Sequence, residues 1–235
     1  MDTIAEYACK EILYQNPLSG ETDMAGWRME GDGMVTFPLG RMRQEGTRSS
    51  EEGQRANIVH WCPEEFPDGV SISWNFYPIR EPGLCILFFA ARGRKGEDLF
   101  SPDLAHRNGP YDQYHHGDID ALHVSYFRRK HDTERAFTTC NLRKSYGFHL
   151  VCQGADPIPS VPDATGPYRV QIVKDGPTVL FGIGMKGEDM LTLFHWEDDG
   201  VSYGPVLGGG RIGFRQMTPM IAEYANLEVC RVEKS

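Results

Sequence analysis

Between residues 111 and 130 the chain reads YDQYHHGDIDALHVSYFRRK. Three of its eight histidines, three tyrosines and three basic residues fall within that stretch. Such a set suits two kinds of chemistry. Imidazole, guanidinium and phenol groups bind hydroxyls and carboxylates through directed, partly charge-assisted hydrogen bonds. The same groups suit a β-elimination on a uronic acid. That reaction needs a cation or amide to neutralise a carboxylate, a base for the neighbouring proton, and an acid for the leaving oxygen. In that scheme Arg143 and Asn141 neutralise the carboxylate, His123 is the base, and Tyr77 or Tyr114 gives the proton. Asn75, His115, His116, His149 and Gln216 complete the expected substrate-binding set.

Two other motifs point elsewhere and are set aside. GGGRIG, residues 208–213, satisfies G-x-G-x-x-G but leads into a strand rather than joining a strand to a helix, so it is a turn. His115 and His116 with Asp118 have metal-ligand chemistry, yet adjacent strand residues point to opposite faces, so only a loop conformation would let both bind one ion.

The elements that must carry these residues are strands. VSISWNFYPI, LCILFFAA, ALHVSYFRR, AFTTCNLR, GFHLVC, YRVQIVKD, TVLFGIGM, MLTLFHW, RIGFRQM and NLEVCRV are rich in β-branched and aromatic residues and bounded by turn formers. Ten such runs with almost no helical period predict an all-β sandwich or barrel, read as one domain over residues 1–235. Alternation assigns faces. Leu122, Val124 and Tyr126 oppose His123, Ser125, Phe127 and Arg129; Cys140 and Leu142 oppose Asn141 and Arg143; Ile72, Trp74 and Phe76 oppose Ser73, Asn75 and Tyr77. Leu122, Val124, Leu142, Ile72 and Phe88 are expected between two sheets. Residues 41–56, charged and without apolar period, read as a mobile surface loop, and the proline-rich residues 153–167 as a second loop. YDQYHHG is expected to be a loop bringing Tyr114 and His115 or His116 to the rim of a concave sheet that carries His123, Asn141 and Arg143. Trp61, Trp74, Trp196, His60 and His195 read as packing or turn residues.

The net charge of −9 excludes wholesale binding to nucleic acid or to an anionic membrane, while leaving room for a local basic patch. The N-terminus, MDTIAEYACKEILY, has no basic region followed by an apolar run, and no window of eighteen apolar residues exists. Six widely spaced cysteines without a C-x-x-C pair read as reduced core thiols, and the expected location is the cytoplasm. Assembly into a homo-oligomer is compatible with the sequence, and no cofactor is required by it.

The runs GWRMEGDG, WCPEEFPDG, PGLCILFFAARGRKGEDLF, GDIDALHVSYFRRK, FTTCNLRKSYGFHLV, GADPIPS and GPVLGGGRIGFRQMTPM resemble a bacterial family catalogued as a domain of unknown function. The resemblance covers nearly the whole chain. It implies a concanavalin A-like jelly-roll β-sandwich of two antiparallel sheets and a carbohydrate setting, since a Bacillus member is encoded in a cluster for using rhamnogalacturonan. Retaining glucanases of that fold carry paired acids as Glu-x-Asp-x(-x)-Glu. Here GDIDALH offers only Asp118 and Asp120, which disfavours paired-carboxylate hydrolysis. A structural Ca²⁺, common in the fold at large, would draw on Glu97 and Asp98. The expectation is a protein that takes acidic oligosaccharides as its partner, either cleaving them by elimination or holding them as a lectin does. Elimination from a 3-keto sugar is a third route.

Overall fold

The computed structural model describes residues 2–129, 138–185 and 188–235. Its strands in chain order are β1 (Tyr7–Asn16), β2 (Arg28–Glu30), β3 (Gly33–Thr36), β4 (Met42–Gly46), β5 (Ile58–Phe66), β6 (Val70–Arg80), β7 (Gly83–Gly93) and β8 (Ile119–Arg129). They continue with β9 (Thr139–Ser145), β10 (His149–Ala155), β11 (Tyr168–Asp175), β12 (Thr178–Met185), β13 (Leu191–Glu197), β14 (Gly210–Gln216) and β15 (Ile221–Lys234). One sheet has the order β13-β12-β11-β6-β15-β4-β3, with β1 also paired to β15; the other runs β10-β9-β8-β7-β14-β5-β2. Every pairing recorded between these strands is antiparallel. The fold is the all-β jelly-roll sandwich expected from the strand pattern.

Ile72, Trp74, Phe76, Val170 and Phe181 of the eight-stranded sheet meet Leu87, Leu122, Val124, Leu142 and Phe214 of the seven-stranded sheet in one core. Each such fully buried side chain contributes about 1.5–3 kcal/mol, which fixes the register of these strands. Phe88 is the exception among the five residues expected there. It lies on the outer face of the seven-stranded sheet with Val59, Trp61, Ile86, Tyr114 and Ile119, in a second apolar cluster. That face is not bare, because residues 94–118 fold back over it and bury it.

The alternation also breaks within β8. Phe127 has a left-handed φ of 46°, and the pairing with β7 slips between Gly83 and Cys85. The bulge turns both Tyr126 and Phe127 into the core, so Phe127 is not on the polar face. Residues 41–56 differ from the expected mobile loop as well. They hold β4 and a 3-10 turn, Ser50–Ala56, because Met42 and Gln44 alternate inward while the charged Arg43 points out to Glu223 at 2.5 Å. Of residues 153–167, the first three belong to β10, and the rest is loop with one 3-10 turn, Val161–Asp163. Cys9 and Cys230 form a disulfide between β1 and β15, which corrects the expectation of reduced thiols; Cys62, Cys85, Cys140 and Cys152 are free. A separation of 221 residues hides such a pair from any spacing argument. Lys130, Ala136 and Phe137 lie outside the described residues. Among the described residues no helix is long and apolar enough to cross a membrane.

Candidate functional site

β8 and β9 are neighbours in register, with His123 opposite Arg143 and Ser125 opposite Asn141. The three residues His123, Asn141 and Arg143 therefore share the outer face of the seven-stranded sheet. The covering segment adds the rest of the site. Its single helical turn, Asp112–His115, lays Tyr111 and His115 against Phe148 with ring centroids 5.2 Å and 4.3 Å away. Tyr111, His115, Phe148, Gln54 and Arg55, with the carboxylates of Glu52 and Asp112, line an open cleft of about 660 Å³.

Below the cleft runs a hydrogen-bonded chain. The Tyr111 hydroxyl lies 2.8 Å from His123 Nδ1, and His123 Nε2 lies 3.0 Å from Ser145 Oγ. His123 is only 1 % exposed and stacks on Phe88 at 5.0 Å, so burial, and then the charge of Arg143, hold it neutral well below the usual imidazole pKa. Burial pushes the Tyr111 phenol up, while Arg215, Arg143 and Arg128 pull the other way without overcoming it. Tyr111 thus keeps its hydroxyl proton at neutral pH. Burial and the neighbouring His116 lower His115 to about 4, leaving an uncharged imidazole on the cleft wall.

Three guanidinium groups surround this chain. Arg143 lies over the Phe148 ring at 3.9 Å and donates one hydrogen bond, from Nη1 to the Phe148 carbonyl at 2.9 Å. Arg215 is buried beneath Tyr111, 4.6 Å from its ring, and donates to the Gly109 carbonyl at 2.6 Å and to Gln54 Oε1 at 3.0 Å. Arg128 follows the β8 bulge, which puts it and not Arg129 beside the site. The Asn141 amide oxygen accepts from Gln153 in one orientation and, turned over, from Arg128 at 3.1 Å. Arg129 is held instead by Asp156 at 3.1 Å. The set has the chemistry to hold a carboxylate against an aromatic wall, with a neutral imidazole and a protonated phenol beside it.

Not every expected residue belongs here. Tyr114 is fully buried between Trp61 and Phe88, with its hydroxyl unpaired, so it cannot reach a substrate; its neighbour Tyr111 occupies the cleft instead. Asn75 and Tyr77 lie on the outer face of the other sheet, where Arg169 donates to Asn75 and Arg41 covers the Tyr77 ring at 4.2 Å. They are across the sandwich from His123. Gln216 points between the sheets, donating to the carbonyls of Gln44 at 2.6 Å and Met220 at 2.8 Å. His149 packs on Tyr203 at 4.8 Å, at the sheet edge. His116 is exposed beside His115 and Tyr146. Sequence reasoning missed Tyr111, Arg128 and Arg215. The RIGFRQM run puts Arg215 and Gln216 on opposite faces without saying which of them looks outward. Among the described residues, the group with metal-ligand spacing is Asp2, His195 and Glu197, far along the chain from Glu97 and Asp98. Asp98 is instead paired to Arg211 at 2.6 Å.

The model of a family described as Domain of unknown function (DUF1961) matches residues 11–229. The chain belongs to this family. It is 53 % identical over 224 residues to the uncharacterized protein YesU of Bacillus subtilis (strain 168), covering 95 % of this chain and 96 % of the relative. A crystal structure of a Bacillus subtilis protein of unknown function with a galectin-like fold superposes with a TM-score of 0.90 at 51 % identity, over 97 % of this chain and 100 % of that one. The exoplasmic/lumenal domain of VIP36, in a Ca²⁺/Man3GlcNAc-bound form, shares the fold with a TM-score of 0.63 at 9 % identity, over 96 % of this chain and 92 % of that one.

Proposed function

We propose that this DUF1961 member binds acidic, uronate-bearing oligosaccharides in the cleft over Tyr111, with pectic oligosaccharides the first class to test. One observation carries the reading. In a chain of net charge −9, Arg128, Arg143 and Arg215 are gathered around Tyr111, a wall of the cleft that Glu52 and Asp112 also line. Collecting cations in an acidic protein costs self-repulsion and desolvation, and an anionic ligand offsets both. Phe148 and Tyr111 offer ring faces and edges for the apolar side of a sugar. The glycan-bound VIP36 domain of the same fold supports the carbohydrate class.

A second reading, β-elimination, is favoured by the pairing of Tyr111 with His115, whose rings lie 5.0 Å apart on the cleft wall. His123 is too buried to take a proton from a sugar. In this reading neutral His115 removes the proton beside the carboxylate, and Tyr111 protonates the leaving oxygen. His123 orients the phenol through its 2.8 Å hydrogen bond. The test is calorimetric titration with uronate and neutral oligosaccharides of equal length, then overnight incubation followed by absorbance and mass spectrometry. Binding of uronates alone, without turnover, supports a lectin. An unsaturated product whose fragments sum to the mass of the substrate supports elimination; fragments heavier by one water show hydrolysis. Equal affinity for neutral and acidic sugars, or no binding of either, refutes the proposal.

A further inference from the structure

The outer face of the seven-stranded sheet bears a second and larger cleft, of about 1000 Å³, whose wall includes Arg28, Arg48, Arg55, Phe100 and Arg107. Arg55 and Pro110 line both clefts, so the two open into each other along one groove. The cations of the second cleft fall into two groups. Arg107 is buried and spent on Glu30, at 2.9 and 3.3 Å, and on the Leu99 carbonyl at 2.9 Å. Arg48 is paired with Asp32 and with Glu52 at 2.8 Å. Arg28 and Arg55 are different. Both are exposed, and among the described residues neither forms an ion pair within 4 Å, although the charge of Arg28 is felt by Asp98. Arg28 is nevertheless held in place, 4.1 Å over the Phe100 ring, whose ring also carries Arg211 at 4.2 Å. Arg211 is in turn fixed by Asp98.

A lone exposed arginine is ordinarily a solvated side chain worth little. Here the side chain stands on a built aromatic support, in a groove whose other end has its own guanidinium cluster. Between the two ends lie Pro110, Tyr111 and His115, together with Asp112 and with Glu52, which is paired to Arg48 at 2.8 Å. A ligand with one carboxylate satisfies only one end.

Resting on the reading of the first cleft, we infer that the groove takes an oligosaccharide bearing anionic groups on at least two of its sugar units. One group sits beside Arg143 and another at Arg28, with Arg55 at the junction of the two clefts. The anion is a carboxylate or a sulfate ester, since both accept a bidentate guanidinium contact. Long nucleic acid is a poorer match, because the chain as a whole repels a polyphosphate backbone.

The experiment measures Kd for uronate oligosaccharides of two to six units and for sulfated ones of equal lengths, with the wild type, Arg28→Ala and Arg143→Ala. The wild type should bind the hexamer about 10-fold or more tightly than the dimer. Arg28→Ala should reduce that ratio towards one, whereas Arg143→Ala should weaken every length. A length gain in either the uronate or the sulfated series supports the inference and identifies the anion. Dimer binding with no gain on lengthening, in both series, overturns this inference while leaving the first cleft as proposed. No binding at any length overturns both. Tighter binding of a single-stranded oligonucleotide of equal charge also overturns it, as would a wild-type length gain retained in full by Arg28→Ala.

Discussion

Replacing Arg143 by alanine separates a ligand-binding guanidinium from a structural one. Guanidinium has five N–H donors, and among the described residues only Nη1 is engaged, to the Phe148 carbonyl. Among the described residues, no carboxylate is among the charges that act on it. Losing a charge-assisted hydrogen bond to a bound carboxylate costs about 1.5–3 kcal/mol, or roughly 10- to 150-fold in Kd. The expected cost to the fold is smaller. The variant forfeits the stack on Phe148, about 0.5–1 kcal/mol, and one hydrogen bond of about 1 kcal/mol. Against a typical total of about 5–15 kcal/mol, the protein stays folded. Arg143→Lys keeps the charge and loses the fork, so its affinity should fall between the two. Calorimetric titration with a uronate oligosaccharide at low ionic strength, with thermal unfolding of each variant, reads both quantities. An Arg143→Ala protein that is folded and binds within twofold of wild type refutes the assignment. Equal weakening for neutral sugars would show that the effect is lost packing against Phe148 and not lost charge.

Three further expectations follow from the same geometry. Tyr111→Phe removes the hydroxyl 2.8 Å from His123 Nδ1 and should abolish any elimination while retaining uronate affinity; turnover persisting in this variant excludes Tyr111 as the proton donor. Burial holds His60 at about 4, far below its unfolded value, so the unfolded chain binds more protons and stability must fall as pH drops from about 6.5 towards 4. Melting temperature followed from pH 7.5 to 4.5 should show that loss, and a His60→Leu variant should show less of it; an unchanged slope assigns the loss to other groups. Finally, the Cys9–Cys230 disulfide closes a loop of 221 residues, for which chain entropy sets an upper value of about 5 kcal/mol. Reductant should lower the melting temperature of the wild type and leave a Cys9→Ser, Cys230→Ser double variant untouched; equal response of both proteins would contradict it.

Strand alternation was legible wherever one face of a strand is apolar and the other polar. It placed Ile72, Leu122, Val124 and Leu142 in the core, and put His123, Asn141 and Arg143 on one face. It failed where both faces are buried. β7 and β14 are covered on the outside by residues 94–118, so the apolar contrast disappears and Phe88 reads as an inter-sheet residue. Gln216 and Arg215 are both buried, and composition alone does not say which of them looks outward. The faces of Asn75 and Tyr77 were read in the right phase, opposite Trp74 and Phe76, but on the wrong sheet. Phase is a local property of a strand, whereas its sheet depends on pairings with β11 and β15 about a hundred or more residues away. The β8 bulge is equally silent, because a left-handed Phe127 has no residue-type signature.

The covering segment explains how the seven-stranded sheet acquires its cleft. A bare outer face would offer His123, Asn141 and Arg143 to water, spread along flat strands. Laying residues 107–117 across it buries His123, raises walls of Tyr111 and His115, and leaves Arg143 half-buried against Phe148. Two contacts hold that arrangement. Gly109 has a left-handed φ of 119°, and a Cβ there would lie 2.3 Å from the Asn57 carbonyl oxygen, so no larger residue fits. Arg215 reaches up from β14 to the Gly109 carbonyl at 2.6 Å, with its ring-stacking face under Tyr111. The same guanidinium therefore anchors the cover and supplies positive potential beneath it. Burying that charge against a carbonyl, an amide and a phenol costs desolvation, which Asp112 and Glu30 offset only in part because neither is among its hydrogen-bond partners. A methionine would fill the space more cheaply. The retained charge is the property an anion-binding cleft needs, and it makes Arg215 the residue on which the fold of the cover and the chemistry of the site depend together.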